Sequence, residues 1–500
     1  MTIWQNLLNI IDWRLYIIFL CLNICLLLCL MLYVIILVGL TFYKYLSWLI
    51  IHILNLGYEI LVMVFPIWLI VIIPLIIVLL QLGGEYDFGA LSNQLSLGAV
   101  KSCYISITKN GLIFYLVSNI SYASVLFFLF MEQKDSPTWY LQLGSYMAIL
   151  HLEFWILFTD SFLLVCGGHI LVCCIVFFGI FVVLWWDNKV KVPIWSWIGF
   201  VVSIILVGGM VGLLYLRTGV IFWSISQGSN LANGEQMVLQ SCFYFVILFP
   251  VGLFPGCTLV LGNCKSIPNS FRTFFNTTFF LHCFWVIIRI SELFRDAGFN
   301  YIFFIILCVT ISTIFICLYF ETDFIKIINL SAMAHFHFLV AVYILDNTAL
   351  QNGLFYDLWI HILCLIGFTL IVTNCSRSYK TPITTAIHGL VYKYPCLVLV
   401  NIILVGLFER GICRFIYQVY LDFNWIPENM IFFTILLILI ISLILYWIIM
   451  AWRWCNLWFK VPNYPDIQTP KYMDELYKFA LVFIVVILVL SFLYPAIFYW

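Results

Sequence analysis

The sequence predicts an all-α integral membrane protein built from about fourteen transmembrane helices. The first observation is composition: hydrophobic residues make up 65% of the 500 residues, charged residues make up 9%, and the mean hydropathy is +1.14. An ordinary soluble domain is about 45–50% apolar and about 25% charged. Because polar residues must cover a soluble fold, this composition excludes a soluble protein. The other two observations are a series of apolar runs of membrane-spanning length and a pair of interrupted runs.

Apolar runs long enough to cross a bilayer recur along the chain. A helix needs about 20 apolar residues to cross the hydrocarbon layer. Runs of this kind occupy residues 15–40, 59–82, 112–131, 140–160, 161–185, 196–216, 239–262, 274–291, 300–320, 326–345, 354–373, 388–421, 429–451 and 478–498. The chain lacks the segments of about ten residues with alternating polarity that a membrane β-barrel requires. Since the connections between runs are short and charged, we expect no soluble domain.

Two of the runs contain residues that interrupt helices. Pro250 and Pro255 lie in the middle of 239–262, where each proline removes a backbone hydrogen bond. Gly406 and Gly411 lie on either side of Glu409 and Arg410 within 388–421. Interrupted helices in corresponding positions of two halves are typical of inverted-repeat transporters, and an ordinary proline kink is the alternative. We predict breaks at both places.

Charge and cysteine usage exclude several classes of function. The 22 basic and 22 acidic side chains cancel, so the chain has no basic field for nucleic acid. The 18 cysteines lie mostly within apolar runs and form no C-x-x-C pair, which predicts free thiols and no zinc or iron–sulfur site. His335 and His337 are neighbours at i and i+2, so on a helix they point about 200° apart and cannot hold one ion. We predict no metal and no cofactor.

The N-terminal residues do not have the pattern of a targeting sequence. A transit peptide would be amphipathic and rich in arginine and serine, and a signal peptide has a short apolar region followed by a small-residue cleavage site. The apolar run 15–40 is too long, and no such site follows it. We therefore expect a chain that is inserted into the membrane where it is made.

Short motifs follow one another in an order typical of one family. The stretch from Asp323 to His335 has Asp323, Lys326, Ser331 and His335 at the spacing of D-L-K-K-x-I-A-Y-S-S-x-x-H. The other motifs are Asn110-Gly-Leu-Ile-Phe, Leu152-Glu153, His361 with Arg377, Met450-Ala-Trp-Arg453, Pro462-Asn463 and Asp474-Glu475. From about residue 106 to the C terminus, this order resembles the antiporter-like, proton-pumping subunits of respiratory complex I.

The resemblance implies two inverted five-helix repeats, each with a broken helix. It implies that helices four to eight superpose on helices nine to thirteen, with the breaks near Pro250–Pro255 and Gly406–Gly411. The chain then divides into divergent N-terminal transmembrane helices (1–105), a third helix and loop (106–139), the first repeat (140–291), the second repeat (300–451), and a linker with the last transmembrane helix (452–500).

In the family, buried carboxylates, lysines and histidines at mid-membrane depth move protons. The resemblance implies the relay residues Lys326, His335, His361, His282, His169, Glu153, Asp160, Glu409 and Arg410. This chain departs from the family pattern, because His169 stands at the position of a key glutamate and His282 within one position of a buried lysine. Histidine can relay protons, since its unperturbed pKa is about 6.5. We predict that His169 and His282 lie close together; the alternative is an inert half of the protein.

The remaining departures concern the two broken segments. Pro250 stands where the family has its first buried lysine, and the carboxylate after the second break has no direct counterpart near Ile416. Glu409 is among the nearest polar substitutes. We predict that Lys326, His335 and His361 form a central polar network, with Lys326 and His335 on opposite sides of one helix.

The function that the resemblance implies is a proton-translocating subunit of the membrane arm of complex I, NADH:ubiquinone oxidoreductase. Helix number and length favour its chain 4, and chains 2 and 5 are the nearest alternatives. A stand-alone cation/proton antiporter and a structural arm subunit with a degenerate proton path also remain open. The expected partners are the other membrane-arm subunits and lipids, with ubiquinone reached only through the assembled complex. No redox centre is expected here, and the expected location is the mitochondrial inner membrane, with an organelle-encoded chain.

Overall fold

A computed structural model describes residues 109–131, 137–159, 161–176, 194–218, 225, 232–253, 268–294, 301–345, 353–379, 390, 395–409, 430–460, 481, 484–486 and 488. These residues form eleven helices and no β-strand. The helices are α1 (Lys109–Met131), α2 (Pro137–Phe158), α3 (Phe162–Cys174), α4 (Ile194–Thr218), α5 (Asn233–Leu248), α6 (Asn269–Leu293), α7 (Tyr301–Phe320), α8 (Phe324–Leu345), α9 (Leu354–Tyr379), α10 (Pro395–Phe408) and α11 (Met430–Phe459).

Every one of these helices overlaps an apolar run of the sequence. In the described part of the chain, five helical stretches are long and apolar enough to cross a membrane: Asn269–Leu293, Ile302–Phe320, Phe324–Ile344, Leu354–Cys375 and Leu437–Phe459. Together with the composition, they make the chain a multi-pass membrane protein. The predicted helices at 15–40 and 59–82 lie outside the described residues. The count of about fourteen helices, the inverted repeats and the division into five parts therefore stay predictions.

Three helices form the centre of the bundle. The membrane-length stretches of α6 and α9 are 100% buried and that of α8 is 94% buried, whereas only 28% of the α11 stretch is buried. On α11 and α4 the outward side chains are aliphatic, including Ile441, Ile444, Ile205 and Leu216. A helix bundle with an apolar outer face and polar groups in its interior is suited to lipid rather than to water. Polar groups that the bundle uses are therefore expected on α6, α8 and α9.

Both predicted breaks coincide with the end of a described helix. Helix α5 ends at Leu248, and the turn that follows contains Pro250, which has no N–H to extend the helical ladder. Gly252 closes this turn with a φ of 99°, a backbone conformation that glycine adopts without steric cost. Helix α10 ends at Phe408, and Glu409 stands in the turn that follows. Pro255 and Gly411 lie outside the described residues.

Helix α6 changes its hydrogen-bonding pattern in its first half. Residues Phe275–Phe279 are π-helical, between α-helical Asn269–Phe274 and Phe280–Leu293. The polar side chains of this wide turn bond to neighbouring helices: Ser121 of α1 donates to Thr277 at 2.6 Å, and Asn276 donates to Asn329 of α8 at 2.8 Å. Such π-helical turns within α-helices are frequent at functional sites. This turn fixes α6 against α1 and α8 just before His282.

Close packing of α3 on α2 depends on Gly168. A Cβ atom at this position would overlap the side chain of Ile156. We expect Gly168→Ala to destabilise the protein by about 1–3 kcal/mol, because overpacking forces the two helices apart. Thermal unfolding in detergent measures this change. Gly167→Ala is the matched control, since among the described residues no atom beyond its own stretch of helix lies within 4 Å of its Cβ position. Equal unfolding temperatures for the two variants would contradict the account.

Candidate functional site

A first group of polar side chains is buried where α1, α2, α3 and α6 meet. We call Ser118, Glu153, His169, Cys173 and His282 the N-terminal cluster. Each is buried, with Glu153 at 3% exposure, His169 at 1% and His282 at 3%. Burying a charge is costly unless it is paired, so a carboxyl group at this depth is expected to have polar contacts. Ser118 of α1 supplies one by donating a hydrogen bond to Glu153 Oε2.

The N-terminal cluster forms a line of neighbouring polar groups from Glu153 to Cys173. Glu153 Oε1 lies 4.0 Å from His282 Nδ1, and His282 Nε2 lies 3.0 Å from His169 Nδ1. His169 Nε2 in turn lies 3.6 Å from Cys173 Sγ. Each of the two nitrogens of each imidazole thus has a different polar group near it. A neutral imidazole has one donor and one acceptor nitrogen, so it can take a proton on one side and release one on the other.

Local structure explains why these side chains meet. His169 and Cys173 stand four residues apart on α3, so they share one face of the helix. His282 lies in the α-helical half of α6, after the π-helical turn held by α1 and α8. The two imidazole rings are nearly parallel, with an interplanar angle of 9° and centroids 5.2 Å apart. The ring of Phe279 is also nearly parallel to that of His282, with centroids 6.3 Å apart.

A second group of polar side chains, partly or fully buried, lies where α8, α9, α10 and α11 meet. We call His335, His361, Glu409, Tyr446 and Trp447 the C-terminal cluster. Glu409 accepts hydrogen bonds from the Tyr446 hydroxyl at 3.2 Å and from Trp447 Nε1 at 2.7 Å. His335 Nε2 lies 3.3 Å from the same hydroxyl and 3.7 Å from Glu409 Oε2. The carboxyl group is therefore held by one helix and contacts a histidine of another.

His361 joins the C-terminal cluster through ring stacking. Its ring centroid lies 5.8 Å from that of His335, and the Phe408 ring lies 4.9 Å from His361 and 3.9 Å from His335. His335 Nδ1 and His361 Nε2 are buried and make no hydrogen bond with the described part of the chain. Buried polar atoms are almost always paired with protein or ordered water.

The two clusters are joined by the packing of α6 on α8. Besides the bond between Asn276 and Asn329, the rings of Phe280 and Phe336 stack at 4.6 Å. Phe280 stands two residues before His282, and Phe336 follows His335 directly. The clusters thus lie on either side of an aromatic contact at the centre of the bundle.

The structure brings six of the nine sequence-predicted site residues together, three in each cluster. These are Glu153, His169 and His282, and His335, His361 and Glu409. Asp160 and Arg410 lie outside the described residues. Sequence reasoning did not select Ser118, Cys173, Tyr446 or Trp447, because a single hydroxyl, thiol or indole in an apolar run is ordinary. Only their contacts with the ionisable side chains distinguish them.

Lys326 is placed differently from the expectation. It stands in the first turn of α8, where the Asp323 carboxylate accepts a hydrogen bond from the Ile325 N–H at 2.9 Å and caps the helix. Lys326 Nζ lies 3.3 Å from Glu321 Oε2, in the connection between α7 and α8. Because His335 is nine residues further along α8, it lies about 13 Å away along the helix axis. The Lys326 ammonium group thus pairs with Glu321, and a part for Lys326 in the central polar network stays a prediction.

His337 is bound within its own helix. Its Nδ1 lies 2.6 Å from the backbone oxygen of Met333. It points away from His335, as the spacing of the two residues on a helix requires. In the part of the chain that the structure describes, no three His, Cys, Asp or Glu side chains are grouped so that they could hold a metal ion.

Comparisons with known proteins identify the fold. No protein-family model and no curated protein matches the sequence. A chain of the membrane-bound sulfane sulfur reductase, an archaeal respiratory membrane complex, matches with a TM-score of 0.63 and 12% identity, over 81% of this chain and 83% of that chain.

Two further complexes contain chains of the same shape. A chain of respiratory complex I from Thermus thermophilus matches with a TM-score of 0.57 and 13% identity, over 84% of this chain and 96% of that one. A chain of the Mrp complex from Dietzia sp. matches with a TM-score of 0.59 and 14% identity, over 86% and 84% of the two chains. This chain therefore shares the fold of these three chains of membrane complexes.

Proposed function

We propose that the protein is an antiporter-like subunit of a respiratory membrane complex and moves protons through its two buried clusters. The observation that carries the proposal is the line of contacts from Glu153 through His282 and His169 to Cys173. Polar groups within a membrane are costly and are usually retained for transport. The two histidines contact each other through their ring nitrogens, and a carboxyl group lies beside one of them. This arrangement is suited to passing a proton.

The C-terminal cluster supports the same function with a second set of groups. Glu409 follows the end of α10, the helix that the sequence predicts to be broken, and it contacts His335 directly. Helix ends inside a membrane protein expose backbone groups that line cavities and ion paths. A carboxyl group at such an end, with a histidine 3.7 Å away, can receive a proton from the aqueous side and pass it inwards.

Within this function we propose chain 4 of NADH:ubiquinone oxidoreductase as the specific member. The order of motifs from Asn110 to Asp474-Glu475 supports it. The catalysed reaction would be that of the assembled enzyme, and this chain would contribute proton movement without a cofactor of its own. Its partners would be the other membrane-arm subunits and lipids, with ubiquinone bound elsewhere in the complex. The mitochondrial inner membrane is the location that goes with this proposal.

The second candidate is a stand-alone cation/proton antiporter. The likeness to a chain of the Mrp complex is as strong as the likeness to complex I, with TM-scores of 0.59 and 0.57. The fold is therefore compatible with both proposals and does not distinguish them. A third candidate is a structural subunit whose proton path has degenerated, since a lysine and a glutamate of the family pattern are histidines here.

Purification of the chain from its native membranes separates these candidates. The proposal predicts that the chain co-purifies with a large assembly that oxidises NADH and, in sealed liposomes, acidifies one compartment. A chain that purifies alone and exchanges cations for protons would be the stand-alone antiporter. An assembly that pumps protons equally well after both clusters are replaced would identify a structural subunit.

A further inference from the structure

Arg289 of α6 is a buried cation that belongs to neither cluster. It is 5% exposed, whereas the side chain of Glu292, about one turn further along the helix, is 42% exposed. Arg289 Nη1 donates to the Glu292 carboxylate, and Nη2 donates to the backbone oxygen of Thr159 at 2.9 Å. A buried charge is costly unless it is paired, and the Glu292 carboxylate meets that need. The bond to Thr159 is a second contact, with a different part of the fold.

The Thr159 carbonyl lies at the junction of α2 and α3. Helix α2 ends at Phe158, and Ser161 is the N-cap residue of α3. The Thr159 hydroxyl accepts a hydrogen bond from the Ser161 N–H at 3.2 Å. The Ser161 carbonyl in turn accepts one from the Val165 N–H at 3.1 Å, in the first turn of α3. The bond from Arg289 therefore holds the start of α3 against α6.

Helices α3 and α6 are joined at two levels that match each other. On α3, His169 follows Ser161 by eight residues, about 12 Å along the helix axis. On α6, Arg289 follows His282 by seven residues, about 10.5 Å along the axis. Arg289 holds the junction before α3 at one level, and His282 Nε2 lies 3.0 Å from His169 Nδ1 at the other. A slide of α3 by one residue, about 1.5 Å, would take this contact beyond hydrogen-bond distance.

The end of α6 that contains Arg289 is itself held by two other helices. Ser291 pairs with the hydroxyl groups of Tyr244 on α5 and Tyr343 on α8. Gln240 of α5 donates a further hydrogen bond to the Tyr244 hydroxyl at 3.0 Å. Supporting hydrogen bonds of this kind keep the geometry of a neighbouring site constant. Arg289 therefore fastens α3 to an end of α6 that is fixed.

We propose that Arg289 is a positioning residue for proton transfer between His169 and His282. It sets the register of α3 on α6 and thereby keeps the two imidazoles within hydrogen-bond distance. The inference rests on the proposed function and adds to it a residue two turns away from the histidines. Because of this separation, Arg289 acts through the register of the helices and not by contact with the transferred proton.

A double-mutant cycle in proton flux tests this role. In the intact assembly, Arg289→Leu should lower the flux about 10–100-fold, because a displacement of about 1 Å at a reacting pair has effects of that size. In a His282→Leu background the histidine contact is already lost, so adding Arg289→Leu should lower the residual flux by no more than about twofold. A merely structural role would give the full loss in both backgrounds. Arg289→Lys keeps a cationic donor for the Thr159 carbonyl and should recover part of the flux.

Arg272→Leu is the matched control for Arg289→Leu. Arg272 is on the same helix and is also 5% exposed, but its Nη1 donates to Asn269 in its own first turn. We expect this variant to keep the unaltered flux. If Arg289→Leu does not assemble, Arg289→Met takes its place in both backgrounds.

The outcomes separate this inference from the proposed function. Flux in Arg289→Leu equal to that in Arg272→Leu, or an equal loss in both backgrounds, would overturn the positioning role. A loss in His282→Leu alone would in that case leave the proposed function standing. Full flux in His282→Leu would overturn both, since the histidine contact would then have no part in transport.

Discussion

Proton translocation by the intact assembly is expected to fall about 100-fold when His282 is replaced by leucine. His282 is the central member of the N-terminal cluster, with Glu153 4.0 Å from one ring nitrogen and His169 3.0 Å from the other. Leucine fills a similar volume but can neither accept nor donate a proton, so the line of contacts is interrupted at its middle. The rate is measured with a pH-sensitive dye inside liposomes that contain the purified assembly.

His337→Leu is the matched control for this variant. His337 is likewise fully buried, but its Nδ1 is bound to the Met333 carbonyl of its own helix and it belongs to neither cluster. We expect this variant to translocate protons at the unaltered rate. A His282→Leu protein that assembles normally and keeps its full rate would mean that the N-terminal cluster is inert.

A loss of similar size, about 100-fold, is expected for Glu409→Gln. The amide has the shape of the carboxyl group and keeps an oxygen that can accept from Tyr446 or Trp447, which now lie 3.2 and 2.7 Å from the carboxyl oxygens. It cannot take up a proton at neutral pH, so exchange with His335 stops while packing is retained. Single-turnover proton release from the reconstituted assembly measures the step directly.

Two further variants define what Glu409 contributes. Glu409→Asp should recover part of the rate, because the acid is retained and only its reach is shortened. Glu235→Gln, in the exposed first turn of α5, controls for the loss of one carboxyl group elsewhere in the chain. If Glu409→Gln translocated protons as well as Glu235→Gln, the C-terminal cluster would have no part in transport.

The helical architecture was predictable from the sequence because lipid imposes a simple requirement on it. A span must be apolar along about 20 residues, and some predicted runs, such as 196–216 and 300–320, coincide with described helices to within a few residues. The run 326–345, for example, corresponds to α8 at Phe324–Leu345. The π-helical turn at Phe275–Phe279 was not predictable, because it follows from hydrogen bonds of Asn276 and Thr277 with other helices.

The two clusters were predictable only in part. Periodicity places His169 and His282 on two helices but cannot bring residues 113 positions apart into contact; the family resemblance supplied that expectation. In the sequence, Glu409 was one of several polar residues near the position of the family's carboxylate after the second break. The structure places it beside His335. Tyr446 and Trp447 carried no signal, since aromatic residues are common in every run of this chain.

The sequence motif that contains Lys326 did not predict the ion pair that this residue makes in the structure. Its spacing to Ser331 and His335 fits the family motif, but Glu321 lies five residues before it and has the opposite charge. At the first turn of a helix a lysine side chain can reach such a carboxylate in the adjoining connection. The ion pair costs less than placing an unpaired ammonium group in the bundle centre.

The most direct measurement of the central claim is the proton flux of His169→Gln, His282→Gln and Glu409→Gln, alone and combined, in liposomes containing the intact assembly. If both clusters lie on one path, each single variant should lower the flux strongly, and the triple variant should be no slower than the slowest single one, because residues that act as a unit are not additive. Normal flux in the triple variant, with normal assembly, would contradict proton movement through these clusters.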